Sequence, residues 1–427
     1  MRRPFVLSLV VYGLVTVALA SRQGTILLLA LPPLLYLIAG LLTRPDTAAL
    51  TVQRTLSATR VLQGETVDAV VTVHNDGPRL DLVTVNAPPP PSQRRADLTP
   101  AQVTQLDGDA STELAYTLQP PRGAYTFPPV TVTVADRFGL FPRRTVHAQH
   151  TSLLVLPAVE RAADARIRPP RTRIFNGPIA ARKGGPGVEF FGVRAFQPGD
   201  SLHWVNHRAS ARYPDQPYVN EFEQERAVDV GLILDVRRSA NVRSDGASLL
   251  DTSVGAAAAL ADAFLGAGNR VGLFLYGGGI DWTLPGYGKV QRERIMQALA
   301  RAQPEEHQVF RSLGFLPTRL FPVRSQLVLV SPLLESDLED LISLRARGYE
   351  VLLVSPDAVA FEAGGLPDDP ARALAVRMAR LEREQVLRQL RAGGVSVFEW
   401  AADTPFHVAA VGQLDRMPHW RRGPGGV

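Results

Sequence analysis

The sequence predicts a multidomain chain: an N-terminal transmembrane helical hairpin, an all-β sandwich of immunoglobulin-like type, and an α/β doubly wound domain. Three observations carry this. Two apolar runs without charge, Phe5–Ala20 and Thr25–Leu42, open the chain. Short β-rich segments bounded by Pro, Gly and Asp fill residues 50–150. From Ala227 onward, apolar strand-like runs alternate with helical patterns, the arrangement of βα units. The expected boundaries are 1–45 for the hairpin, 46–150 for the sandwich, 151–226 for a connecting segment rich in motifs, 227–415 for the α/β domain and 416–427 for a disordered tail.

Each apolar run sits near the lower end of the roughly 17–25 residues that cross a bilayer as a helix. The link Ser21-Arg22-Gln23-Gly24 is a tight polar turn. Pro32 and Pro33 fall in the second run, where membrane helices tolerate them. Ala18-Leu19-Ala20 behind Arg2 and Arg3 also fits a signal-peptide cleavage site, but the second run follows at once, which favours the hairpin. Arg2, Arg3, Arg44 and Arg54 flank the outer ends and only Arg22 lies in the turn. The positive-inside rule then puts both termini, and the soluble domains, on the cytoplasmic side of the cell membrane.

In the sandwich region Thr66–Val73 is the clearest strand and ends at the turn His74-Asn75-Asp76-Gly77-Pro78. Leu82–Val85, Glu113–Leu118 and Val130–Val134 are further strands, and the Pro88–Pro91 run is a loop. In the α/β region the expected strands are Val228–Asp235, Arg270–Tyr276, Gln326–Ser331, Glu350–Ser355 and Val395–Trp400. The expected helices are Ser248–Leu265, Val290–Ala302, Leu334–Arg347 and Ala371–Arg391.

Composition excludes some chemistries. The 427-residue chain has no cysteine, so disulfides, thiol catalysis and thiolate metal sites are ruled out. Its net charge of +5 is carried almost wholly by arginine, since only Lys183 and Lys289 are lysines. The arginines are scattered among carboxylates, which argues against nucleic acid as a partner. Gly277-Gly278-Gly279 is not followed by Gly-Lys-Ser/Thr and is no Walker loop. No Gly-x-Ser-x-Gly elbow surrounds Ser331 or Ser355. Arg377, Arg380, Arg383 and Arg388 read as a solvated helix face, and Asp251 and Asp262 as exposed or capping.

The densest motif lies between Gly184 and Asp235. Gly185, Gly187, Glu189, Phe190, Arg194, Phe196, Gly199, Asp200, Ala211 and Arg212 fall at spacings that resemble the signature of the domain of unknown function 58 family. The chain departs from that signature at His203, Val205 and His207, with Trp204 nearby. The resemblance implies a von Willebrand factor A-like domain, membrane anchorage, and a non-enzymatic scaffold role beside a MoxR-type AAA+ ATPase in envelope-related or chaperone-like assembly. Physically, Gly199-Asp200 is a turn, and Glu189, Arg194, Asp200 and Arg212 are candidates for a buried ion-pair network clamping this segment onto the α/β domain. The alternative is a hydrolase that uses Asp200, His203 and His207 for proton transfer. No nucleophile or oxyanion turn accompanies them, and histidines four apart align only on a helix.

The resemblance also implies a divalent-ion site of the form Asp-x-Ser-x-Ser at the end of the first α/β strand. Here that segment reads Asp235-Val236-Arg237-Arg238-Ser239. Asp235 and Ser239 match, while Arg237 replaces a ligand with a cation that has no lone pair. A later position, usually Ser-Asp in the family, reads Ser331-Pro332, and Asp337 falls on the following helix. Thr252 and Thr283 are the candidates for a third loop. The site is therefore expected to be degenerate, with Arg237 neutralising Asp235. No cofactor is expected, and the pattern weighs against bound magnesium.

Overall fold

The computed structural model describes residues 2–43, 49–91, 100–159, 179–213, 215–226, 229–244, 247–277, 282–304, 313–315, 321, 325–367 and 369–413. The expected tail at 416–427 lies outside them. The chain divides into two compact units, Met1–Leu156 and Pro157–Val427.

The first unit opens with helices α1 (Arg2–Ser21) and α2 (Gly24–Leu42), packed on one another. Both are long and apolar enough to cross a membrane. Pro32 and Pro33 lie inside α2 without ending it. Strands β1 (Leu50–Leu56), β2 (Arg60–Leu62), β3 (Val67–Asn75), β4 (Leu80–Asn86), β5 (Ala101–Leu106), β6 (Ser111–Leu118), β7 (Gly123–Thr126), β8 (Val130–Ala135), β9 (Arg143–His147) and β10 (Ser152–Leu156) follow. They form three sheets, ordered β1-β3-β6, β2-β10-β7 and β5-β4-β8-β9. The period-2 pattern explains why. Along β3, Val67, Ala69, Val71 and Val73 are buried while Asp68 faces water. Their side chains join Val83, Val85, Val130, Val132 and Val155 in one apolar core. The expected boundary at 150 is corrected: β10 pairs with β2 and β7, so the strands of this unit run to Leu156. The hairpin is also not separate from it. The end of α2 packs on the Asp136–Phe141 loop, with the Tyr36 and Phe138 rings 4.8 Å apart. A Cβ on Gly40 would lie 2.9 Å from Leu140 and 3.2 Å from the Asp136 carboxylate.

The second unit begins with a long antiparallel pair, β11 (Ile179–Ala195) and β12 (Tyr218–Arg226). The sequence offered few regular elements here. The pair escapes a period-2 reading because its register shifts three times between Ala180 and Gly192, so apolar and polar residues do not alternate. A 3-10 turn (Leu202–Trp204) and the short helix α3 (His207–Arg212) lie between the two strands.

Strands β13 (Asp229–Asp235), β14 (Arg243–Ser244) and β15 (Ala247–Ser248) lead to helix α4 (Leu249–Gly266). Then come β16 (Arg270–Tyr276), β17 (Trp282–Gly286), α5 (Gly288–Arg301), β18 (Gln326–Val330), α6 (Asp337–Ala346) and β19 (Glu350–Pro356). The order ends with α7 (Ala358–Gly364), α8 (Pro370–Ala392), β20 (Ser396–Trp400) and α9 (Phe406–Gln413). The six-stranded sheet is ordered β17-β16-β13-β18-β19-β20. All of its pairings are parallel except that of the edge strand β17 with β16. Counted within this sheet the order is 3-2-1-4-5-6, which reverses between β13 and β18. The central strands are buried on both faces, hence their unbroken apolar runs. Helices α4, α5 and α9 associate on one side, and α6 and α8 on the other. Helix α4 is also apolar enough to cross a membrane, but Ala256–Ala261 are buried against the sheet.

Candidate functional site: a closed ion-pair cluster at the strand ends

In an open α/β sheet the crevice at the carboxyl ends of the strands, where strand order reverses, is the usual place for ligands. Here that point lies between β13 and β18. Asp235 ends β13, Ser331 follows β18, and Asp337 opens α6. All three are buried, and so is Arg237, which is 3% exposed.

Arg237 joins them. Its Nε donates to Asp235 Oδ1 (3.0 Å) and its Nη2 to Asp235 Oδ2 (2.7 Å). Nη1 and Nη2 donate to the two oxygens of Asp337, at 2.8 and 2.6 Å. The Arg237 backbone N–H also reaches Asp235 Oδ1 (3.0 Å). Ser331 Oγ donates to Asp235 Oδ2 (2.7 Å) and accepts from the N–H of Leu333 (2.9 Å), whose backbone is held at φ 70°. The guanidinium lies 4.4 Å from the centre of the Tyr276 ring and donates to its hydroxyl at 3.4 Å. Asn241 pins the loop by donating to the Asp235 and Arg237 carbonyls. Gly277, at φ 102°, leaves the space that the Arg237 stem fills, and any Cβ there would collide with it.

Burial alone would lower the Arg237 pKa; hydrogen bonds and charge from Asp235 and Asp337 outweigh it and hold the guanidinium above its ordinary value. Burial pushes the Asp235 carboxyl up, against the opposing pull of Arg237 and Ser331. Burial likewise raises Tyr276.

Several sequence expectations are corrected here. The carboxylate absent after Ser331 is supplied by Asp337, which reaches back from the first turn of α6. Ser239 is exposed and stands apart from the buried set. Thr283 lies on the antiparallel edge strand opposite Leu273, and Thr252 in the first turn of α4. Arg383 is not part of a solvated face. It donates to the Pro332 and Pro356 carbonyls and to Ser355 Oγ, fastening α8 across the ends of β18 and β19. Asp262 pairs with Arg292, tying α4 to α5 at 2.5 Å.

The signature segment is organised around Arg194. Its guanidinium grips Asp200 through two bonds of 2.7 and 2.6 Å and lies 3.5 Å from Glu221 on β12. Asp200 also accepts from the Gln197 N–H (2.7 Å), closing a turn in which Gly199 sits at φ 106°. These bonds hold the hairpin to its own turn, not to the α/β sheet, and Arg194 keeps about a third of its surface. Arg212 is exposed at the end of α3, so the expected buried four-residue network is not formed as such. Gly185, Gly187 and Glu189 lie on β11, and the side chain of Phe190 is exposed. Ala211 lies on α3 and is exposed. His203 sits on the 3-10 turn and His207 opens α3 behind the Asn206 cap; both are exposed. With the Asp200 carboxylate committed to Arg194 and Gln197, the trio is not assembled as an acid/base site. Trp204 packs edge-on against Phe222 of β12, 5.7 Å between centres.

These features define a class: two apolar N-terminal helices with a β module, followed by a mixed α/β unit with an internal ion-pair cluster at its strand ends. The family model described as "Protein of unknown function DUF58" matches residues 192–369, from the end of β11 through five of the six strands of the sheet, stopping before α8 and β20. Uncharacterized proteins of Mycobacterium tuberculosis and Mycobacterium bovis are 25% identical over 150 residues, 35% of this chain and 47% of theirs. The chain thus spans about half the length of these curated relatives. Among solved structures, the CARDB domain of a Pyrococcus furiosus protein in complex with di-metal ions shows 15% identity and a TM-score of 0.19. It covers 27% of this chain and 97% of that one. The sporulation control protein Spo0M of Bacillus subtilis shows 13% identity and a TM-score of 0.16, over 25% of this chain and 49% of that one. At these scores the likenesses carry no argument.

Proposed function

We propose that this protein is a non-enzymatic, membrane-anchored interaction module whose α/β unit is a von Willebrand factor A-like domain. One observation carries the reading: the carboxylates of the signature turn and of the strand ends are tied to arginines, while apolar side chains of the signature segment face water. Asp200 and Arg194 hold the signature turn, Asp235 and Asp337 are both paired with Arg237, and Ser331 donates to Asp235. Phe190 and Val193 on β11, with Leu202 and Tyr213 beyond it, are exposed. Exposed apolar side chains rimmed by polar residues suit a protein surface rather than a reaction centre. The sheet order, with its one antiparallel edge strand, supports the domain assignment.

The anchor is the α1–α2 hairpin in the cell membrane, with the soluble units on the cytoplasmic side. The partner that the family resemblance implies is a MoxR-type AAA+ ATPase, engaged in envelope-related or chaperone-like assembly. The test is an affinity pull-down of the tagged full-length chain from native membranes, with and without ATP and magnesium, read by mass spectrometry. A co-purifying AAA+ ATPase, lost on Phe190→Ser and Leu202→Ser substitution, supports the reading. Recovery only of proteins from the far side of the membrane overturns both the topology and the partner.

A further inference from the structure

The Asp235, Asp337 and Ser331 oxygens form the kind of donor set that hard divalent cations take, at the position where the von Willebrand A-like reading expects an ion. The residues present do not fit one. The Arg237 guanidinium lies between the two carboxylates, in contact with three of their oxygens at 2.6–2.8 Å and with the fourth at 3.0 Å. A guanidinium has five N–H donors. In this cluster Nε meets Asp235, Nη1 meets Asp337 and Tyr276, and Nη2 meets both carboxylates. No donor remains for an incoming group. A metal ion at such a site keeps open positions that a ligand can complete, whereas this cation is closed on every side. The Gly277 backbone completes the fit, since only a residue without Cβ leaves room for the arginine stem.

We propose that Arg237 is the resident cation of this domain, standing permanently where a divalent ion would otherwise bridge Asp235 and Asp337. The consequence is that this face recognises its partners without a metal and without a carboxylate of the partner entering the crevice. The substitution concerns the cation and stands whether or not an ATPase is the partner.

The experiment uses the full-length chain in detergent, stripped with chelator, and manganese alone as the probe, with free ion followed by electron paramagnetic resonance. The native chain is expected to show no Asp235-dependent manganese site at concentrations up to about a millimolar, the weak end of protein calcium sites. Arg237→Ser removes the guanidinium and leaves the oxygens, and is expected to bind manganese at least ~10-fold more tightly than the native chain. Adding Asp235→Asn to that variant should abolish the gain. Arg237→Lys, which keeps the charge without the fork, should gain no site. A native site that disappears on Asp235→Asn alone would overturn the proposal. So would a folded Arg237→Ser that binds no better than the native chain, or a manganese site in Arg237→Lys. Should Arg237→Ser fail to fold, the native and lysine measurements still decide.

Discussion

Asp200 holds its turn only while it is ionised. The side-chain bonds from Arg194, then the Gln197 N–H, bring its pKa from 3.8 down to about 2. A carboxylate depressed in the folded state contributes stability above its unfolded value, and that contribution is lost as pH falls from 3.8 through about 2. A side-chain carboxyl titration by NMR should therefore place the Asp200 midpoint near 2, and Arg194→Ala should move it up. A native midpoint at or above 3.8 would mean that the pair does not form in solution. At this scale the sequence was partly legible. Asp235 is legible through the resemblance to a family whose first α/β strand ends in Asp-x-Ser-x-Ser, and Arg237 because it departs from that motif. Asp337 was placed on α6 but not in the cluster, since nothing local reveals that a helix turns its first residue back toward a strand end. Arg383 did leave a signal: it stands in line with Ala379, Val386, Leu387 and Leu390, the inward stripe of α8, where a solvated arginine has no reason to be.

Among the elements, the edge strand β17 depends on one side chain. Gln291 of α5 is buried, and its Nε2 donates to the Val271 and Leu284 carbonyls at 2.7 Å each. It thereby bridges β16, β17 and the helix. Gln291→Leu fills similar space but leaves both carbonyls without this donor. The expected cost is about 1–3 kcal/mol for such an unsatisfied buried group. Hydrogen exchange should quicken across Trp282–Gly286 before it does in β13 or β18. Unchanged protection and an unchanged denaturant midpoint would remove Gln291 from that role. The central strands and long helices were legible because unbroken apolar runs and helical periodicity are strong signals; Arg270–Tyr276 matches its strand end to end. The short edges were not. Strand β17 mixes Trp282 and Leu284 on its outer positions, and β2 and β7 hold too few residues for a period to show. The β11–β12 pair is hidden by its register shifts.

At the scale of the whole chain, the order of parts (apolar hairpin, β module, α/β unit) could be read directly from composition, because each part obeys a different hydrophobic period. What composition could not convey is how the first two parts join. The Tyr36 ring lies against Phe138, its hydroxyl meets the Phe138 carbonyl at 3.5 Å, and the Gly40 backbone presses on the loop that Asp136 organises through the Phe138 and Phe141 N–H groups. A module hung on a slack tether would tumble in nanoseconds, independently of its anchor. This one should instead turn with its hairpin as a single rotor, slowed by the viscosity of the lipid. Since the chain has no native cysteine, a phosphorescent label at Glu113→Cys would be unique. In vesicles its anisotropy should persist into the microsecond range. It should collapse to fast decay when Gly40→Leu wedges helix and loop apart; fast decay in the native chain would show the joint to be loose. With the hairpin set in a bilayer, a stiff joint of this kind would fix the height and heading of the β module, so that a binding protein would meet it by diffusing laterally to a preset azimuth, not by catching a swinging target.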